Sequence, residues 1–73
     1  MAKYMLALKE SRYQDYLGFG SRVVGSEGRF VIVEARDEHA QWQLGRLASG
    51  LVAVPMLFDT LAEARKEARK RTL

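Results

Sequence analysis

Arg65, Lys66, Arg69 and Lys70 repeat like charges at i,i+4 near the end of the chain. On a helix this spacing stacks the four side chains in one contiguous sector. A cationic ridge of this kind can engage phosphates, because phosphate binding works through local charge density and counterion release. Pairing of Glu63 with Lys66, and of Glu67 with Lys70 or Arg71, explains part of the pattern. The helix dipole, which favours cations in the last turn, explains another part. Neither explains why like charges recur one turn apart. A solvated charged face and a docking surface for an acidic protein are the two other uses these residues could have.

No other residues converge on a chemistry. His39 is the only histidine and stands beside Asp37 and Glu38. A metal needs about three ligands pointing at one place, and neighbours in a single polar turn point apart. There is no cysteine, which excludes disulfides, thiolate metal sites and a Cys–His pair. The expectation is a protein with no catalytic residue, no metal, no cofactor and no small-molecule substrate. A turnover that responded to His39→Ala would overturn it. Gly18-Phe19-Gly20 and Gly25-Ser26-Glu27-Gly28 could cradle a phosphate, but the second pair precedes a strand pattern and carries a repelling Glu27, so plain turns are expected. Tyr4, Tyr13, Tyr16, Phe19, Phe30, Trp42 and Phe58 could stack bases, although a core this small claims most of its large side chains.

The elements that must position these residues follow from pattern. Thr60 and Glu63 have capping-box spacing, and Leu61, Ala64 and Ala68 recur at helical spacing, predicting a helix over 61–72. Phe30-Val31-Ile32-Val33 predicts a strand over 29–36. Asp37-Glu38-His39-Ala40 reads as a polar turn, and Gln41-Trp42-Gln43-Leu44 alternates as a half-buried strand. Ala48-Ser49-Gly50 turns the chain into a third strand over 51–58, where Pro55 implies an edge position or a break. Residues 18–28 read as loop with a short strand near Arg22–Val24. Residues 2–17 admit two patterns. As one helix, Ala2, Met5, Leu6, Tyr13, Tyr16 and Leu17 share a face and Gly18 caps the end, which the Ala, Met, Leu, Lys and Glu content favours. Alternatively, Tyr4, Leu6 and Leu8 alternate as a strand, and Ser11 with Gln14 caps a short helix.

The expected fold is a single small α+β domain over 1–73: three antiparallel strands, with room for a fourth, packed by the C-terminal helix. A chain of 73 residues buries only about 60% of its unfolded surface, so its core is thin. Residues 1–60 carry seven basic and seven acidic side chains, so the whole net charge of +3 belongs to the last helix. No segment approaches the ~18 apolar residues of a membrane span, and the run 4–8 is too short for a signal-peptide core. A cytoplasmic protein without membrane contact is expected. Phe30, Ile32, Trp42, Leu44, Val52, Val54 and Phe58 are expected to face the helix. The opposite sheet face would carry Val31, Val33, Ala35, Leu51, Ala53 and Leu57, too apolar to leave in water. The N-terminal segment must cover that face, or Val31, Val33 and Leu57 form a surface for a partner protein or a second subunit.

The strand order followed by Phe58-Asp59-Thr60-Leu61-Ala62-Glu63-Ala64 resembles the arm-type DNA-binding domains of phage integrases, in which an F-x-T-x-x-E-A step leads from a three-stranded sheet into a helix. The likeness covers roughly residues 29–73 and implies a sheet inserted in the DNA major groove, supported by the helix from behind. These strands lack the alternating Arg and Lys of that family. A helix–three strands–helix order ending in Ala64 and Ala68 also resembles the double-stranded RNA-binding domain, but Leu61 and Ala62 replace that family's lysine cluster. Charge and resemblance together point to a small non-enzymatic binding protein that meets nucleic acid through Arg65, Lys66, Arg69 and Lys70. The alternative is a protein-interaction module, such as an adaptor or a phage or mobile-element inhibitor occupying a host enzyme's nucleic-acid site.

Overall fold

Strand β3 (Phe30–Ala35) is buried along nearly its whole length because both of its faces and both of its edges are covered. This is why it reads as an unbroken apolar run rather than an alternating one. The computed structural model describes residues 1–18, 20–50 and 54–72. Strand β1 (Lys3–Leu8) pairs with β3 on one side, with Leu6 opposite Ile32. Strand β2 (Ser21–Glu27) pairs on the other, with a bulge between Val23 and Gly25. The result is a three-stranded antiparallel sheet in the order β1–β3–β2. Helices α1 (Glu38–Gly50) and α2 (Leu61–Thr72) complete an α+β fold.

Residues 54–58 extend the sheet along the outer edge of β1. The Val54 N–H donates to the Leu6 carbonyl at 3.1 Å, and Tyr4 and Phe58 exchange backbone bonds at 2.9 and 2.7 Å. Between these contacts the Met56 N–H turns back to the Val54 carbonyl at 2.8 Å, a three-residue turn around Pro55 that interrupts the ladder. Pro55 thus sits at a sheet edge and at a break, as its missing N–H requires. Lys3 and Asp59 form an ion pair at the end of this segment. Residues 51–53 of the strand expected over 51–58, including Val52, lie outside the described residues.

The two sheet faces carry separate cores. On one, Leu6, Phe30 and Ile32 meet Val54, Phe58 and the Ala64 and Ala68 methyls of α2, with Tyr4, Leu8, Val24 and Leu61 at the margin. The alanines let the helix backbone come close to the sheet, and burying side chains such as Leu6 and Ile32 stabilises by about 1.5–3 kcal/mol each. On the other face, Met5, Ala7, Val31, Val33 and Ala35 meet Ala40 and Leu44 of α1, flanked by Tyr13, Tyr16, Leu17 and Ala48.

Three expectations are corrected. Residues 2–17 do not form a helix. The favourable helix propensities of Met5, Leu6 and Ala7 are overridden because β1 is paired on both sides and buried on both faces, and a 3-10 turn over Tyr13–Tyr16 follows it. Residues 41–44 are not a strand but part of α1. Asp37 is the N-cap of that helix: its Oδ1 accepts the Ala40 N–H at 2.9 Å, so the polar turn is a helix start. Finally, the second apolar sheet face is covered by α1, placing Val31 and Val33 in the core, 7% and 0% exposed. They are closed to any partner, and of the three surface residues expected there only Leu57 is exposed.

Candidate nucleic-acid interface

Helix α2 starts as its sequence demands. The Thr60 hydroxyl accepts the Glu63 N–H at 3.1 Å, and the Glu63 carboxylate accepts that hydroxyl's proton at 3.3 Å. Glu63 thus supports the cap through the side chain of Thr60 rather than through its backbone. The helix then crosses the sheet and ends over the β2–β3 hairpin. There Gly28 has φ +60° and Arg29 follows with negative φ, the backbone of a two-residue turn with glycine first. A Cβ on Gly28 would fall 2.1 Å from the Thr72 hydroxyl. That hydroxyl accepts the Arg29 N–H at 3.4 Å and donates to the Ala68 carbonyl at 2.7 Å. Thr72 fastens the end of α2 to the hairpin tip.

The four expected phosphate-binding cations divide into two pairs. Arg65 and Arg69 lie on the flank of α2 facing β2, where both reach Glu27, at 3.4 and 3.2 Å. Gly25 makes room for this arrangement, since a Cβ there would come within 3.0 Å of the Arg65 Nη2. Lys66 and Lys70 point outward and are exposed, with no carboxylate in ion-pair range among the described residues. Arg71 pairs with Glu67 at 2.7 Å. The sequence stacks all four cations together, and the structure keeps them on one helix while tethering half of them to the sheet.

Two cations that the sequence did not join to this surface are brought to its far end. Arg29 is exposed at the hairpin tip beneath the end of α2. Lys9 follows β1, donates its backbone N–H to the Arg29 carbonyl at 3.1 Å, and lines a shallow recess with Leu8, Glu10 and Arg29. The two-residue turn was legible around Gly28, but nothing in the sequence says which helix end lies over it.

A different surface arises on α1. Trp42, expected in the core, is 58% exposed. The His39 ring stacks on it with centroids 6.0 Å apart at 25°, and the Arg46 guanidinium lies 5.2 Å from its centroid. The three residues stand one turn apart, a spacing visible in the sequence once the segment is taken as a helix. His39 is thus tied up in a surface stack, and among the described residues no group of three histidine or carboxylate side chains is placed to hold a metal ion. Gly25 lies within β2 and Gly28 in a hairpin, so the two do not form one anion-binding loop.

The order of elements, β1–β2–β3–α1–α2, differs from both family likenesses: α1 stands where each expects a strand. No family model, curated protein or solved structure matches this chain. No described helix is long and apolar enough to cross a membrane.

Proposed function

We propose that this is a small, non-enzymatic, cytoplasmic nucleic-acid-binding protein. Its contact surface is the outer ridge of α2, Lys66 and Lys70, continued by Arg29 and Lys9 at the hairpin end. The observation that carries this reading is the outward lysine pair, one turn apart with no carboxylate in ion-pair range among the described residues. Charge left unpaired on a ridge attracts a phosphate backbone, whereas charge consumed in surface pairs does not. Arg65 and Arg69 act as a reserve, since each can leave Glu27 for a phosphate at little cost in an exposed pair.

The test is anisotropy titration of labelled mixed-sequence duplex and single strands over a range of salt. Affinity should fall with a log–log slope of about −0.9 per duplex phosphate contact, and Lys66→Ala or Lys70→Ala should each flatten that slope by about one contact. Failure to bind any of these below ~100 μM in low salt, weaker than ordinary non-specific binding, would remove the proposal.

The second reading is a protein-interaction module, such as an adaptor or a mobile-element inhibitor of a host enzyme. The exposed Trp42 beside Arg46 favours it, because Trp and Arg dominate binding energy at protein interfaces. Its affinity would respond weakly to salt and strongly to Trp42→Ala.

A further inference from the structure

The exposed cations and the aromatic rings of this molecule lie on opposite sides of the sheet. Lys66 and Lys70 crown α2, which buries Ala64 and Ala68 against one sheet face, so the two lysines stand on a convex ridge. Arg29 and Lys9, both exposed, continue the line at the end of the helix. On this side Phe30 and Phe58 are buried in the core, and Tyr4 packs at its margin with its hydroxyl donating to Glu34 at 3.4 Å. Tyr13 and Tyr16 pack on the other face, and Trp42 projects from α1, the helix that covers it. Among the described residues, a nucleic acid laid along α2 therefore meets charge without a ring to stack on.

Resting on the nucleic-acid reading of this ridge, we propose that its partner is a double strand, held as a line of charge whatever its sequence. Proteins that favour single strands combine a basic groove with aromatic side chains on which successive bases stack. A ridge that offers charge alone binds in proportion to the charge density of its ligand. A duplex carries one negative charge per ~1.7 Å of axis, against one per ~3.4 Å for a single strand. The ridge also lacks the means to read bases. Specific contacts in the major groove come from asparagine or glutamine on adenine and from arginine or lysine on guanine. Helix α2 has no amide side chain. Its arginines are drawn to Glu27 and Glu67 on the flanks, and the two outward lysines act as point charges without a bidentate fork. Contacts of this kind hold a protein on the phosphate backbone and carry no sequence information.

The experiment titrates the full chain, at low salt, into labelled DNA duplexes of one length and different base composition, and into the separated strands of each. Anisotropy gives the affinities, and Trp42 emission is followed in parallel. The duplexes should agree within about twofold, and each should bind about threefold or more tightly than either of its strands. Arg29→Ala and Lys66→Ala, both at exposed positions, should weaken all the duplexes by one common factor, as the loss of a phosphate contact does. Trp42 is the only tryptophan, and its emission should stay constant because the duplex lies on the far side of the sheet. Single strands that bind as tightly as the duplexes, or that quench Trp42, overturn the proposal and leave the nucleic-acid reading standing. Duplexes that differ by about tenfold or more, or that respond unequally to Arg29→Ala, do the same. Failure of every probe to bind removes the nucleic-acid reading itself, and the proposal falls with it.

Discussion

The Arg65 guanidinium lies over Gly25, on the strand it crosses to reach Glu27 at 3.4 Å. A methyl group at Gly25 would touch only the far end of this flexible side chain, which can move aside. Gly28, the residue after Glu27 in the hairpin, is different: it has φ +60° and lies against the Thr72 side chain. Gly25→Ala should therefore leave stability within about 0.5 kcal/mol of wild type. Gly28→Ala should cost about 1–3 kcal/mol through backbone strain and displacement of the helix end. Urea denaturation of the two variants side by side checks the contrast.

Ala64 and Ala68 are both fully buried against the sheet. Replacing either by leucine should destabilise by about 1–3 kcal/mol through overpacking. If both substitutions leave the denaturation midpoint unchanged, α2 does not pack through this face.

Asp37 and Thr60 each accept a backbone N–H in the first turn of a helix. Asp37→Ala and Thr60→Ala should each cost about 1 kcal/mol, lowering the melting temperature by roughly 4–8 °C in a domain of this size. Thermal melts followed by circular dichroism measure both. The Asp37 variant also tests whether 37–40 begins a helix or merely turns.

Glu27 holds Arg65 and Arg69 together. Glu27→Gln should release both arginines and remove a carboxylate from the basic surface. At low salt it should bind duplex DNA about threefold or more tightly, with a salt slope steeper by about 0.9 for each arginine that engages a phosphate. The loss in stability should stay below about 1 kcal/mol, because the pairs are partly exposed. Weaker or unchanged binding by Glu27→Gln would separate these arginines from the phosphate surface.

Local signals were legible where they were also decisive. The Thr60 cap and the Leu61, Ala64 and Ala68 spacing define α2, and Phe30–Val33 defines β3. The split of β3 into two faces was legible too, with Phe30 and Ile32 toward α2 and Val31 and Val33 away. What covers the second face was not, because Gln41–Leu44 alternates over four residues and a helix can produce the same short pattern. The wider spacing of Ala40, Leu44 and Ala48 was the better guide, and Gly45 and Gly50 obscured it by their poor helix propensity. Residues 4–8 failed for the opposite reason: a strand buried on both faces loses its alternation, leaving only composition, and composition favoured a helix. The cationic ridge itself was legible on one helix. Its division by Glu27 and its extension by Arg29 depend on contacts between residues far apart in the chain.

The position of β1 also governs how the molecule must be assembled. Its neighbours are β3 on one edge and residues 54–58 on the other, so an early segment is completed by one of the last. Among the described residues, the β2–β3 hairpin is the only strand pairing that can form from adjacent sequence. A growing chain therefore holds β1 with an open edge until 54–58 has been synthesised, and α2 cannot cover the sheet before then. High contact order of this kind slows folding relative to a helical bundle of equal length, and an unpaired apolar edge invites association between incomplete chains. Folding should be a single late event rather than a stepwise one, and fragments ending before residue 54 should aggregate rather than accumulate as a stable subdomain.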